Sequence, residues 1–237
     1  MLLTLIMLWA RINVGSLKRH DSCMSLATGQ TSQVNRKMEA ESSMVVSAEQ
    51  ETREIILRLE CAEGDPELLQ LLSGVSKDDF ALIGELIQMY CMADALCRGL
   101  TAMLQEHRLG TASDAAFSLN DTDVLIHTKK EARESGLNID KAGIISAVET
   151  LEMHRLFRHT FSHWVVKRYM DGKHLVALSK SAPDAKKRDG IALEGGKAKL
   201  AVFRIDLLLT ELEKVKGHCR FLSEVHAYLE SGAATQA

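Results

Sequence analysis

Apolar residues recur every three or four positions along most of the chain after Ser47, which is the period of an amphipathic helix. Ser47 suits an N-cap, Glu49 and Glu51 follow it, and Ile55, Ile56 and Leu59 supply an apolar face, so a first helix is expected to about Cys61. Glu63-Gly64-Asp65-Pro66 interrupts it, and Asp65-Pro66 opens a short helix over Leu68, Leu69, Leu71 and Leu72 that ends by Gly74. Ser76 to Asp79 restart the chain. Leu82, Leu86, Met89 or Tyr90, Ala93, Leu96 or Cys97, Leu100, and Met103 or Leu104 then predict a long helix to about His107, with Asp94 and Arg98 as an exposed i,i+4 pair on its outer side. Leu109 to Leu119 reads as a loop. Asn120 or Asp121 caps a further helix to about Ser135, closed by Gly136. Asp140 caps what the pattern predicts to be the longest helix, running to about Met170 before Asp171-Gly172 ends it. Leu175 to Leu178 and Lys199 to Phe203 read as two short strands, and a last helix carries Leu207/Leu208, Glu211/Leu212, Val215, Cys219, Leu222, Val225/His226 and Leu229. The expected fold is an all-α bundle of four to five helices, with a small β-hairpin inserted near residues 174–204, before the last helix.

Composition agrees with helices. Of 237 residues only two are Pro, aromatic residues make up 5%, and the 46% of apolar residues is enough for a globular core. The ends depart from the pattern. Met1 to Ala10 is an apolar run about half as long as the roughly 20 residues that span a bilayer. It lacks a basic start and a small-residue cleavage site. Gly15 to Ser43 is polar and aperiodic. Residues 1–46 are therefore expected to be a disordered extension, residues 47–231 the helical domain, and residues 232–237 a tail. Five scattered cysteines, Cys23, Cys61, Cys91, Cys97 and Cys219, make neither a disulfide framework nor a zinc ribbon. Cys91 and Cys97 read as small buried side chains, and reduced thiols fit the cytoplasm. No membrane association is expected.

The formal net charge of −3 excludes a uniformly basic nucleic-acid binder, but it averages two unlike regions. Ala48 to Glu106 holds twelve acidic and four basic residues, whereas Leu151 to Gly190 holds nine basic and four acidic ones. The basic region contains His154-Arg155-Leu156-Phe157-Arg158-His159-Thr160-Phe161-Ser162-His163-Trp164. On a helical wheel Met153, Phe157, Phe161 and Trp164 form a core stripe, while Arg155, Arg158, His159, Ser162 and His163 share the opposite face. His159 and His163 are neighbours at i,i+4. Of the other histidines, His107, His127, His174, His218 and His226 lack such company and read as surface or partly buried side chains.

Arg158-His159-Thr160-Phe161-Ser162-His163 resembles the signature of the HEPN superfamily: an Arg, a polar residue, three further residues and a His. The helical-bundle context is similar to that family too. The resemblance implies a metal-independent endoribonuclease that dimerises so that two motifs build one composite site. It implies that His163 acts as general acid/base, that Arg158 stabilises the phosphate and that His159 orients the phosphate or polarises His163. Arg155, Lys167 and Arg168 would add attraction for the RNA backbone. The expected partners are a second copy of the chain, RNA and a regulatory protein, with no cofactor and no metal. Val165 stands where the toxin subgroup of the family carries Tyr, so the chain is not assigned to that subgroup.

Two other readings compete. One is a non-catalytic HEPN-like binding or dimerisation module. The other is a metal-binding bundle through His159-x3-His163, which lacks the HExxH glutamate because Thr160 occupies its place. P-loop, nucleophile-elbow and dinucleotide-binding motifs are absent.

Overall fold

Ser76 starts the longest helix through a reciprocal cap. Its hydroxyl accepts from the Asp79 N–H at 3.1 Å, and the Asp79 carboxylate accepts from the Ser76 N–H at 2.8 Å. The computed structural model describes residues 49–62, 67–111, 115–180 and 198–232. Within these residues the chain is mostly helical, as the pattern predicts, and the expected two-stranded hairpin is part of a small antiparallel sheet of four short strands. The expected extension 1–46, the Ser47 cap, the Asp65-Pro66 helix start and residues 233–237 of the tail lie outside the described residues.

The chain divides into two compact units. The first draws on residues 1–73 and 178–203. Its described part holds α1 (residues 49–61), α2 (Leu68–Leu71), β1 (Leu72–Ser73), the last residues of β3 (His174–Ser179) and most of β4 (Lys199–Arg204). Ile55, Ile56 and Leu59 of α1 are buried, as their spacing predicts.

The second unit, residues 74–177 and 204–237, carries the motif. It contains α3 (Lys77–Leu109), α4 (Ala115–Ser118), α5 (Asp121–Glu134), α6 (Lys141–His163), β2 (Val165–Tyr169), the start of β3 and α7 (Ile205–Glu230). Helix α3 packs most extensively on α7 and also meets α4, α5 and α6. Its buried stripe runs Leu82, Leu86, Tyr90, Ala93, Cys97, Leu100 and Leu104, and Gly110, with φ at +71°, ends it with its N–H on the Glu106 carbonyl. This helix is long and apolar enough to cross a membrane by length and composition. Polar groups lock its last turns to α5. The Thr101 and Thr128 hydroxyls meet at 2.8 Å, and Arg108 grips the buried Glu131 carboxylate with two bonds of 2.9 Å.

Four local expectations are corrected. The helix begun at Asp140 stops at His163, not near Met170. Trp164 turns extended, and residues 165–169 form β2, paired with β3 as a hairpin. Gly172, with φ at +70°, therefore serves this hairpin turn and not a helix end. Asp171 ties the turn by accepting from the N–H groups of Lys173 and His174 and bonding the His174 ring at 2.6 Å, and His174 is fully buried, not the surface or partly buried side chain expected. Second, Asp94 and Arg98 are no plain surface pair. Arg98 bonds Asp94 at 2.8 Å and donates to the carbonyls of Ala116, Phe117 and Leu119, which fastens the α4 segment to α3. Third, α4 gives part of the expected loop 109–119 a short helix. Fourth, Cys97 is buried but Cys91 is exposed.

Burial pushes the Cys97 thiol up to about 12 and raises that of Cys219 as well. Iodoacetamide at pH 8 is expected to label Cys61 and Cys91 on the folded protein and to spare Cys97 and Cys219 until denaturant is added. Peptide mapping of the labelled sites checks this, and rapid native labelling at Cys97 would contradict its packing between α3 and α5. A methyl added at Gly143 would lie 2.3 Å from Oδ2 of Asp140, the carboxylate oxygen that does not take the capping bond, and 2.8 Å from Phe221. Gly143→Ala is expected to cost about 1–3 kcal/mol by overpacking. Equilibrium urea unfolding measures it, and a neutral result would mean that cap and ring yield freely.

Candidate functional site

Helix α6 presents two chemically different sides. Ile144, Ala147, Val148, Leu151, His154, Phe157, Thr160 and Phe161 are buried along one stripe, with Trp164 just past its end. Asp140 caps the start by accepting from the Gly143 N–H, and the Trp164 N–H closes the last turn on the Thr160 carbonyl at 2.9 Å. The core stripe follows the predicted wheel at Phe157, Phe161 and Trp164. Within the motif, the buried members that the wheel did not mark are His154 and Thr160.

His154 is held by charge and aromatic contacts together. Its Nε2 pairs with the Glu211 carboxylate of α7, whose other oxygen takes Lys214 at 2.5 Å. Its ring meets the edge of Tyr90 at a centroid distance of 6.0 Å and lies 5.6 Å from Phe157. Burial alone raises the Glu211 carboxyl, but hydrogen bonds from His154 and Lys214 outweigh it and leave the group below its usual value. Nearby His218 is shifted down by burial and by the positive charges of His154 and Lys214.

The opposite side of α6 is stitched to α5 by three polar contacts. Lys129 bonds Glu152 at 2.7 Å, Arg155 bonds the Thr122 hydroxyl, and Arg158 pairs with Asp121 at 3.1 Å. Arg155 and Arg158 therefore turn toward the N-terminal turn of α5. There they line a shallow pocket with Tyr90, Asp94 and Asp121, walled by Ala93, Leu125 and Leu151. Past them, the rings of His159 and His163 approach to a centroid distance of 4.4 Å with planes 39° apart. His163 is exposed at the last residue of the helix, beside exposed Ser162, and His159 is half-buried. Among the described residues no third His, Cys, Asp or Glu joins these two imidazoles at metal-ligand distance.

The five polar residues that the wheel placed on one face thus separate into an arginine pair directed at α5 and a histidine pair at the helix end. Lys167 and Arg168 are not on this helix at all. They sit on β2, where Arg168 bonds the Asp79 carboxylate at 3.0 and 3.2 Å and the Gly172 carbonyl at 2.7 Å. That guanidinium fastens the hairpin to the cap of α3. Asp121, Thr122 and Tyr90 were not singled out as site residues by the pattern. Asp121 had a visible signal as the residue beside a helix cap, but its reach to Arg158 depends on how α5 and α6 pack.

No family model, curated protein or solved structure matches the chain.

A carboxylate depressed on folding stabilises the fold above its unfolded-state value and loses that contribution as the pH falls through its folded value. Thermal stability is accordingly expected to decline below the usual glutamate value of 4.5, as Glu211 is protonated. Glu211→Gln should flatten this acid limb in a series of melting temperatures from pH 7 to pH 3. A limb of unchanged slope would mean that the His154–Glu211 pair does not govern it.

Proposed function

We propose that the chain is a metal-independent endoribonuclease of HEPN type, acting as a homodimer in the cytoplasm. The observation that carries this reading is the adjacency of His159 and His163 at the exposed end of α6, with Arg158 on the preceding turn. The mainly helical unit and the resemblance of Arg158 to His163 to the family signature support it. The free thiols of Cys61, Cys91, Cys97 and Cys219 fit a reducing compartment.

In this reading His163 takes the proton from a ribose 2′-hydroxyl, and the resulting oxygen attacks the adjacent phosphorus. The 5′-oxygen leaves with a proton supplied by an imidazole, from the same protomer or its partner. The products are a 2′,3′-cyclic phosphate and a 5′-hydroxyl, so atoms and protons balance without a metal or cofactor. Imidazole suits both transfers because its ordinary pKa lies near 6.5. Stacking against His159 orients the His163 ring, and the Arg158 guanidinium stabilises charge on the phosphate oxygens. Arg158 must exchange Asp121 for phosphate to do so. Two copies bring two such helix ends together, which supplies separate acid and base groups.

That same ion pair favours a second reading, a non-catalytic binding or dimerisation module in which Arg158 is a structural tie. One experiment separates them. Purified protein in EDTA is incubated with a panel of single-stranded and structured RNAs beside His163→Ala, and its oligomeric state is measured by light scattering. Nuclease function predicts cyclic-phosphate ends and a loss of roughly 10²- to 10⁴-fold in the variant. A folded dimer that leaves every RNA intact, or cleavage that His163→Ala retains, would shift the function to the binding module.

A further inference from the structure

Tyr90 poses a chemical problem that the fold does not solve by itself. The residue is 5% exposed, lines the pocket beside α6, and its hydroxyl has no hydrogen-bond partner among the described residues. A buried donor left unmatched is costly, and native structures seldom retain one without a ligand, a water or a functional reason. Arg155 adds a second unmet demand. Its described polar partner is the neutral Thr122 hydroxyl, and no carboxylate of the described residues pairs with it. Asp94 is already engaged by Arg98 at 2.8 and 3.3 Å, and Asp121 is shared by Arg98 at 3.6 Å and Arg158 at 3.1 Å. Three guanidinium groups thus stand against two carboxylates, leaving one positive charge in excess at a pocket that Tyr90 also lines.

The species that meets all of these demands accepts hydrogen bonds in several directions and carries negative charge. We propose that this pocket binds a phosphate group, held by Tyr90 from α3 and by Arg155 and Arg158 from α6. A tetrahedral phosphate offers oxygens to donors arriving from two helices, whereas a cation would meet the excess positive charge. The apolar walls Ala93, Leu125 and Leu151 strengthen the attraction by keeping water from one side. Asp121 acts as the internal counter-ion that Arg158 leaves when phosphate enters. The phosphate can belong to an RNA backbone or to a free phosphate or monoester. The site does not depend on cleavage at His163.

The test is thermal unfolding with inorganic phosphate titrated against chloride at constant ionic strength, on the full chain. Wild type and His163→Ala are expected to show a saturable rise in melting temperature that Tyr90→Phe and Arg155→Gln lose. Without phosphate, Tyr90→Phe is expected to be at least as stable as wild type, because it removes the unmatched hydroxyl and keeps the ring on His154. That result also shows that the variant folds. A single-stranded RNA hexamer lacking terminal phosphates identifies the source. About tenfold weaker binding to Tyr90→Phe/His163→Ala than to His163→Ala assigns the pocket to an RNA backbone phosphate. Equal hexamer binding with the phosphate response intact assigns it to a free phosphate or monoester, whatever the cleavage assay gives. Absence of a saturable phosphate effect, or an equal effect in Tyr90→Phe and Arg155→Gln, would overturn the site.

Discussion

The second unit depends on one buried stripe along α3. This helix contacts α4, α5, α6 and α7, so the residues from Leu82 to Leu104 set the positions of the elements that carry candidate chemistry. Close packing leaves little freedom in such an arrangement, and polar groups at its margins fix the helices along their axes. Thr101 with Thr128 and Arg108 with Glu131 hold α5 on α3, while Arg98 holds the α4 segment. The position of α5 in turn decides what Arg155 and Arg158 can meet.

Helix α6 joins two kinds of electrostatics across its own width. On the buried side, His154 and Glu211 form a pair that Lys214 extends toward solvent. On the other side, arginines meet the exposed start of α5. Tyr90 lies between them, with its ring against His154 and its residue lining the arginine pocket. Ligand binding at that pocket would thus act on a side chain already packed against the core. The pairing of Arg158 with Asp121 has a functional consequence under either proposed function. As a nuclease residue, Arg158 must trade a carboxylate for a phosphate oxygen, which offsets part of the gain in binding. As a structural tie, it holds α5 against α6 and leaves the histidine pair on its own.

Much of the candidate site was legible in the chain itself. Arg158, His159 and His163 stand out because three chemically apt groups share one helix face, and adjacency of the two histidines follows from i,i+4 spacing alone. Asp121, Thr122 and Tyr90 did not stand out. Each is an ordinary residue in its own helix, and each acquires meaning only from a partner at least 33 positions away in the chain or across a helix interface. Arg168 shows the reverse case. The resemblance implies an RNA-backbone contact for it on a helix extended to Met170, yet its bonds to Asp79 and Gly172 make it a clamp for the hairpin.

By itself the sequence determined where α3 and α5 start and roughly how far they run, and that a last helix follows the strands, because period and N-caps are local properties of backbone geometry and side-chain burial. It also determined that α6 is amphipathic, with Phe157, Phe161 and Trp164 on its core side. Where α6 ends was decided by tertiary structure. Trp164-Val165-Val166-Lys167-Arg168-Tyr169 satisfies a helical period, but β-branched and aromatic residues also suit an extended chain. Pairing of β2 with β3, the tied turn at Asp171 and Gly172, and the anchoring of Arg168 on Asp79 favour the strand. Tertiary structure likewise divided the polar face, since a wheel records directions around one helix and does not record which neighbour stands in each direction.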